Sequence, residues 1–179
     1  MKKIISLLIC AVLLTACAAA FADSASVDFR DRFQVRAALP DGYRLSILDQ
    51  NDLTLEGEIK SDDPAAPVMQ LYISFNESYA AVNTLNDQPE AELEAIRQSF
   101  LEEYTVTFDT LTSSSGIPML VVRETGEAPD FLDFYTVFQG HEIELWLSKP
   151  IEAEDPSLSD AQISLWFDFA KSLELIPLQ

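Results

Sequence analysis

Residues Phe131 to Ser148 read FLDFYTVFQGHEIELWLS. The stretch divides at Gly140 into two apolar-rich segments, Phe131 to Gln139 and His141 to Ser148. A glycine at that point marks a tight turn, so the segments are expected to form an antiparallel hairpin. Successive side chains of a strand point to opposite faces. His141, Ile143, Leu145 and Leu147 therefore share one face, taken as the inward one. Glu142 and Glu144 take the other and are expected to meet water. Trp146 has their parity, which places one large aromatic on that second face.

The same period of two extends outward. Phe33 to Leu39 reads as a strand closed by the turn Pro40-Asp41-Gly42. Tyr43 to Leu48 and Leu53 to Ile59 follow, then Val68 to Phe75 with Met69, Leu71, Ile73 and Phe75 on one face. Between Asp87 and Tyr104 the period changes. Leu93, Ile96, Phe100 and Tyr104 recur at spacings of three and four, one face of a helix, and Asp87 with Glu90 has capping-box spacing. Thr105 to Leu111 and Ile117 to Glu124 return to strand character. After the hairpin, Pro150 to Ser157 is an acidic loop. Ser159 and Gln162 give a second capping box, opening a helix to about Leu173 with Ile163, Trp166, Phe167, Ala170 and Leu173 inward. Leu165 and Phe169 widen its apolar arc, and Leu175 to Leu178 adds a short final strand. Four strands, a helix, four strands and a helix with short connections predict an α+β protein: a largely antiparallel β-sheet flanked by helices.

The N-terminus has a different logic. Lys2 and Lys3 precede an apolar run from Ile4 to Ala16, the pattern of a secretory signal peptide. Two processing signals overlap there. Ala20-Phe21-Ala22 is an A-x-A site before Asp23, and Leu14-Thr15-Ala16-Cys17 resembles the lipobox of bacterial lipoproteins, whose cysteine receives a lipid. The expected organisation is a signal peptide over 1–22 (1–16 if Cys17 is lipidated), a short polar tether over 23–32, and a single domain over 33–179. Cys10 and Cys17 are the only cysteines, so the domain itself has no disulfide, Cys-ligated zinc or Cys nucleophile. The expected location is the outer face of the cytoplasmic membrane, or the exterior if the chain is released.

Composition narrows the partners. The chain has 179 residues and 48% hydrophobic content, enough for one packed domain. It carries 30 Asp and Glu against 11 Lys and Arg, a formal charge of −19. Such a surface repels phosphate, so no nucleic-acid partner is expected, and membrane contact is expected only through an N-terminal lipid.

The segments FQVRAALPDGY (33–43), SSSGIPMLVV (113–122) and FYTVFQGHEIELWL (134–147), with the closing helix over Leu158 to Leu173, resemble the PsbP-like family. Its bacterial members include DcrB-like and LpqN-like exported lipoproteins. The resemblance implies an α/β/α sandwich. It implies no particular activity, because members bind unrelated partners, and no site residue of the family maps onto this chain.

Chemistry-bearing residues are few. His141 is the only histidine, and Ser113, Ser114, Ser115 and Asp133 are the types that could accompany it in hydrolysis. The serine run lacks the G-x-S-x-G elbow and reads as a turn. Glu152, Glu154, Asp155 and Asp160 form one acidic cluster that could attract calcium, and Glu127, Asp130 and Asp133 another, without an EF-hand loop. No phosphate-binding glycine motif occurs, and no cofactor or resident metal is expected. These features favour a non-catalytic binding or accessory module whose partner is a protein or small ligand. Two alternatives stand: a hydrolase using His141 or dispersed carboxylates, and a cation-binding surface protein. Trp146, Leu165 and Phe169 either belong to a sheet covered on both faces or mark a ligand or partner surface, and the latter reading is dropped if all three prove fully buried.

Overall fold

The computed structural model describes residues 23–124, 131–151 and 153–178. Ten strands and two helices run in the order β1 (Asp23–Phe29), β2 (Phe33–Leu39), β3 (Tyr43–Gln50), β4 (Thr54–Ser61), β5 (Val68–Phe75), α1 (Glu90–Glu103), β6 (Val106–Thr112), β7 (Pro118–Glu124), β8 (Phe131–Phe138), β9 (His141–Ser148), α2 (Asp160–Lys171) and β10 (Glu174–Pro177). Seven strands form a large antiparallel sheet in the order β3-β4-β5-β9-β8-β7-β6, and β1-β2-β10 form a small one. The α+β class with antiparallel sheets is therefore as expected from the sequence.

The β8–β9 hairpin lies at the centre of the large sheet. Gln139 and Gly140 both have positive φ, 49° and 78°, the two-residue primed turn that matches strand twist. Gly140 also passes close to the 3-10 turn at Glu77–Tyr79. A Cβ there would sit 3.1 Å from the Ala80 Cα and 3.3 Å from the Tyr79 carbonyl, so a side chain would press on that backbone as well as strain its positive φ.

Both faces of the large sheet carry packed apolar side chains. On the inner face, Leu55, Met69, Ile73, Leu132, Phe134, Ile143, Leu145 and Leu147 meet the small sheet and α2, including Phe29, Phe33, Trp166, Phe169 and Leu173. On the outer face, Leu120, Val122, Phe131, Tyr135 and Val137 meet Leu93, Ile96 and Phe100 of α1 and the segment carrying Tyr79, Val82 and Leu85. Strand β8 is buried along its whole length. That is why FLDFYTVF is nearly unbroken in apolar residues: a strand covered on both sides needs both parities apolar. Asp133 is its one ionisable exception among carboxylates.

Several details differ from the sequence reading. Asp23–Phe29, expected within a polar tether, pairs along all of β2 from Asp23↔Leu39 to Phe29↔Phe33. Phe29 is fully buried. The layer opposite α1 is thus a small sheet joined by a helix, not helices alone. Asp87 does not cap α1. Its carboxylate accepts from the Thr84 amide at 2.9 Å and the Thr84 hydroxyl at 3.0 Å, closing the 3-10 turn at Leu85–Asp87, while Pro89 precedes α1. The Ser159–Gln162 capping box forms as expected. Phe169 is core, whereas Leu165 and Trp146 are half-buried.

Candidate functional site

Strand register assembles the outer face row by row. Glu56 pairs with Tyr72, Tyr72 with Glu144, and Glu144 with Tyr135. One step along the strands, Glu58 pairs with Gln70, Gln70 with Trp146, and Trp146 with Asp133. Directly paired residues share a face and stand about 5 Å apart. The alternation that buries Leu71, Ile73, Ile143 and Leu145 on the inner face therefore brings Glu56, Glu58, Gln70, Tyr72, Glu144, Trp146 and Asp133 together on the outer one. Where α1 leaves this face uncovered, a hollow of about 280 Å³ opens, lined by Gln70, Tyr72, Glu144 and Trp146.

Its rim is rigid on one side. The Trp146 indole stacks on Phe131 with centroids 4.0 Å apart and planes 19° from parallel. Tyr104, following α1, packs edge-on to Phe131 at 5.1 Å. Tyr72 is 38% exposed and borders the open side.

The carboxyl groups differ in their surroundings. Glu142 accepts from the Tyr135 hydroxyl at 2.9 Å and from Asn76 Nδ2 at 3.2 Å. Glu144 is half-buried, and burial followed by repulsion from Glu142 raises its pKa. Asp133 is fully buried, and neither carboxylate oxygen has a well-formed hydrogen bond. Burial drives its pKa well above the ordinary carboxylate range, and the Glu144 charge adds to this, while the nearby Leu145 and Phe134 amides oppose it. Tyr135 is raised by burial and by the Glu142 carboxylate. Among the described residues no Lys or Arg pairs with Glu56, Asp133, Glu142 or Glu144, whereas Lys60 is engaged by Glu58. The arrangement is an aromatic-walled recess whose one lining carboxylate, Glu144, has no ion-pair partner among the described residues. It suits a cation.

His141 lies on the opposite face. Phe29, Phe33 and Phe75 surround its ring at centroid distances of 5.2, 5.4 and 5.4 Å. Nδ1 donates to the Gln139 carbonyl at 2.8 Å, which leaves Nε2 to accept from Arg32 Nη1 at 3.5 Å. Burial lowers its pKa, and the Arg32 charge acts the same way. This neutral imidazole ties the β1–β2 turn to the central hairpin. Ser113 and Ser115 bond to one another at 2.8 Å, and Ser115 donates to the Leu173 carbonyl; the run serves a turn, as its sequence suggests. His141 and the serines are not brought together by any bond.

Neither sequence-derived acidic cluster assembles within the described residues. Asp155 caps the Ser157 amide and draws Lys149, and Asp160 begins α2. Asp133 belongs to the sheet interior. Glu127, Asp130 and Glu152 lie outside the described residues, as do Cys10 and Cys17. Among the described residues no three Asp, Glu, His or Cys side chains are placed to share a metal ion.

The sequence matches no protein-family model and no curated protein.

Sequence reasoning located part of it. Trp146 does occupy the second face. Glu142 and Glu144 do too, but half-buried and hydrogen-bonded or crowded instead of freely hydrated. Glu56, Gln70 and Tyr72 went unnoticed. Their only signal was a parity opposite to Leu55, Leu71 and Ile73, and parity within one strand does not say which residue of another strand stands alongside.

Proposed function

We propose that this protein is an exported, lipid-anchored, non-catalytic binding module on a PsbP-like scaffold, and that the outer hollow is where its ligand sits. The observation carrying this reading is the hollow itself: Trp146 and Tyr72 flank half-buried Glu144 on a rigid central sheet, with no countercharge supplied by the described residues. Recesses with apolar walls and a few converging polar groups are where small ligands bind. Lys2, Lys3, the apolar run and the Cys17 lipobox support export and anchoring. The segments resembling the PsbP-like family fall on β2, β7, β8, β9 and α2, which support that scaffold. Among the described residues, no helix is long and apolar enough to cross a membrane.

Two measurements test this. Mass analysis of the processed N-terminus should find a lipidated Cys17, and Cys17→Ser should move the protein from the membrane to the soluble fraction. Asp23 as the first residue would reject the anchor. Screening a small-molecule fragment set by NMR should give saturable shifts of the Trp146 indole N–H, assigned with Trp146→Phe. A set that leaves this resonance unmoved would reject the site.

A further inference from the structure

Glu144 lines the hollow, and exposed Glu56 lies outside its lining, beyond Tyr72 on the same sheet face. Glu56, Tyr72 and Glu144 are successive partners across β4, β5 and β9. Two inter-strand spacings separate the two carboxylate-bearing backbones, about 9–10 Å, with the Tyr72 ring between them. Trp146 borders the same hollow one residue pair along. We propose that the site binds a linear alkyl diamine, one ammonium on Glu144, the other on Glu56, and the methylene stem across Tyr72 against Trp146. This rests on the reading of the outer hollow as the binding site.

Three further observations fit this ligand class. Asp133, fully buried, is paired with Trp146 across the strands and close enough to feel the Glu144 charge, and neither of its oxygens has a well-formed hydrogen bond. A cation seated at Glu144 relieves the repulsion between Glu144 and Glu142. Next, an alkyl stem beside an aromatic ring suits an ammonium flanked by methylenes, whose charge the ring face attracts. Calcium instead requires six to eight oxygens around one point, and no trio of carboxylates converges among the described residues. Finally, the formal charge of −19 raises the local concentration of any polycation over that of a neutral ligand.

The test titrates the processed protein with cadaverine, following the Trp146 indole N–H by NMR, with pentylamine and calcium chloride as comparisons. Cadaverine is expected to bind saturably. Glu56→Gln and Glu144→Gln should each weaken it about tenfold, the scale of one hydrogen bond to a charged group. Pentylamine, engaging one carboxylate, should bind about tenfold more weakly than cadaverine, and calcium should fail to displace the diamine. The proposal is overturned if cadaverine does not shift the indole, if pentylamine binds as well, if calcium displaces it, or if Glu56→Gln has no effect. Glu56 is exposed and unpaired, so that variant keeps the test decisive even if Glu144→Gln disturbs folding. Should cadaverine fail while other fragments still shift Trp146, the diamine is wrong and the binding site stands. If nothing shifts Trp146, both are wrong.

Discussion

Asp133 is the most informative single residue. It sits in a strand buried on both faces, without a well-formed hydrogen bond to either oxygen. A neutral residue there would cost less, since a buried carboxylate loses its hydration. Its folded-state pKa is raised, chiefly by burial, above the unfolded value of about 3.9. The folded protein therefore holds a proton that the unfolded chain releases. At pH values below about 4 both states are protonated and nothing is lost. As pH rises from there through the folded pKa, stability falls. Glu144, raised by burial and Glu142, acts in the same direction, and Glu142, Tyr135 and Tyr79 are the other ionisable groups nearby. Asp133→Asn removes the Asp133 contribution. Its melting temperature should rise relative to wild type as pH increases from about 4 to 8. Parallel melting-temperature curves for the two proteins would contradict this.

At the scale of elements, β1 and the central hairpin contrast in how readable they are. The hairpin announces itself: Gly140 punctuates two segments, and Ile143, Leu145 and Leu147 alternate cleanly. β1 does not. In DSASVDF the apolar set is Ala25, Val27 and Phe29, of which only Phe29 is large, and the alternate positions are Ser24, Ser26 and Asp28. Beside a leader, that reads as a polar spacer. Burial is what reveals it, because Phe29 packs 5.4 Å from Phe33 and 5.2 Å from His141. Phe29→Ala should cost about 3–5 kcal/mol, as other buried Phe truncations do. A urea titration giving a loss below ~1 kcal/mol would mean that β1 is only loosely attached. The Asp87 cap failed for a related reason. Spacing alone fits both Asp87–Glu90 and Thr84–Asp87, and Pro89 between helix and turn decides for the latter.

At the scale of the molecule, the class and helix faces were legible because each is a local periodicity. The site was not, because it is made of register. Glu56 and Tyr72 meet across the neighbouring strands β4 and β5, but Glu144 is far away in sequence and joins them only because β9 inserts between β5 and β8. The same insertion makes the large sheet common to both apolar clusters, so the two should not melt apart. Trp166 lies in the inner cluster and Trp146 at the outer one. In the single-tryptophan variants Trp146→Phe and Trp166→Phe, the fluorescence midpoint in urea should coincide with that of far-UV circular dichroism. Separate midpoints in either variant would show the outer layer unfolding independently.

The start of β1 at Asp23 also sets a stand-off distance. Under an anchor at Cys17, six peptide steps separate the acylated residue from the first paired strand, at most about 20 Å of fully extended chain. The domain would then lie close to the headgroups. β1 is an edge of its sheet, and an open edge invites pairing with another chain. Anchoring at Cys17 would keep the start of that edge within about 20 Å of the lipid, and the Asp28 charge on it works against pairing with a second chain.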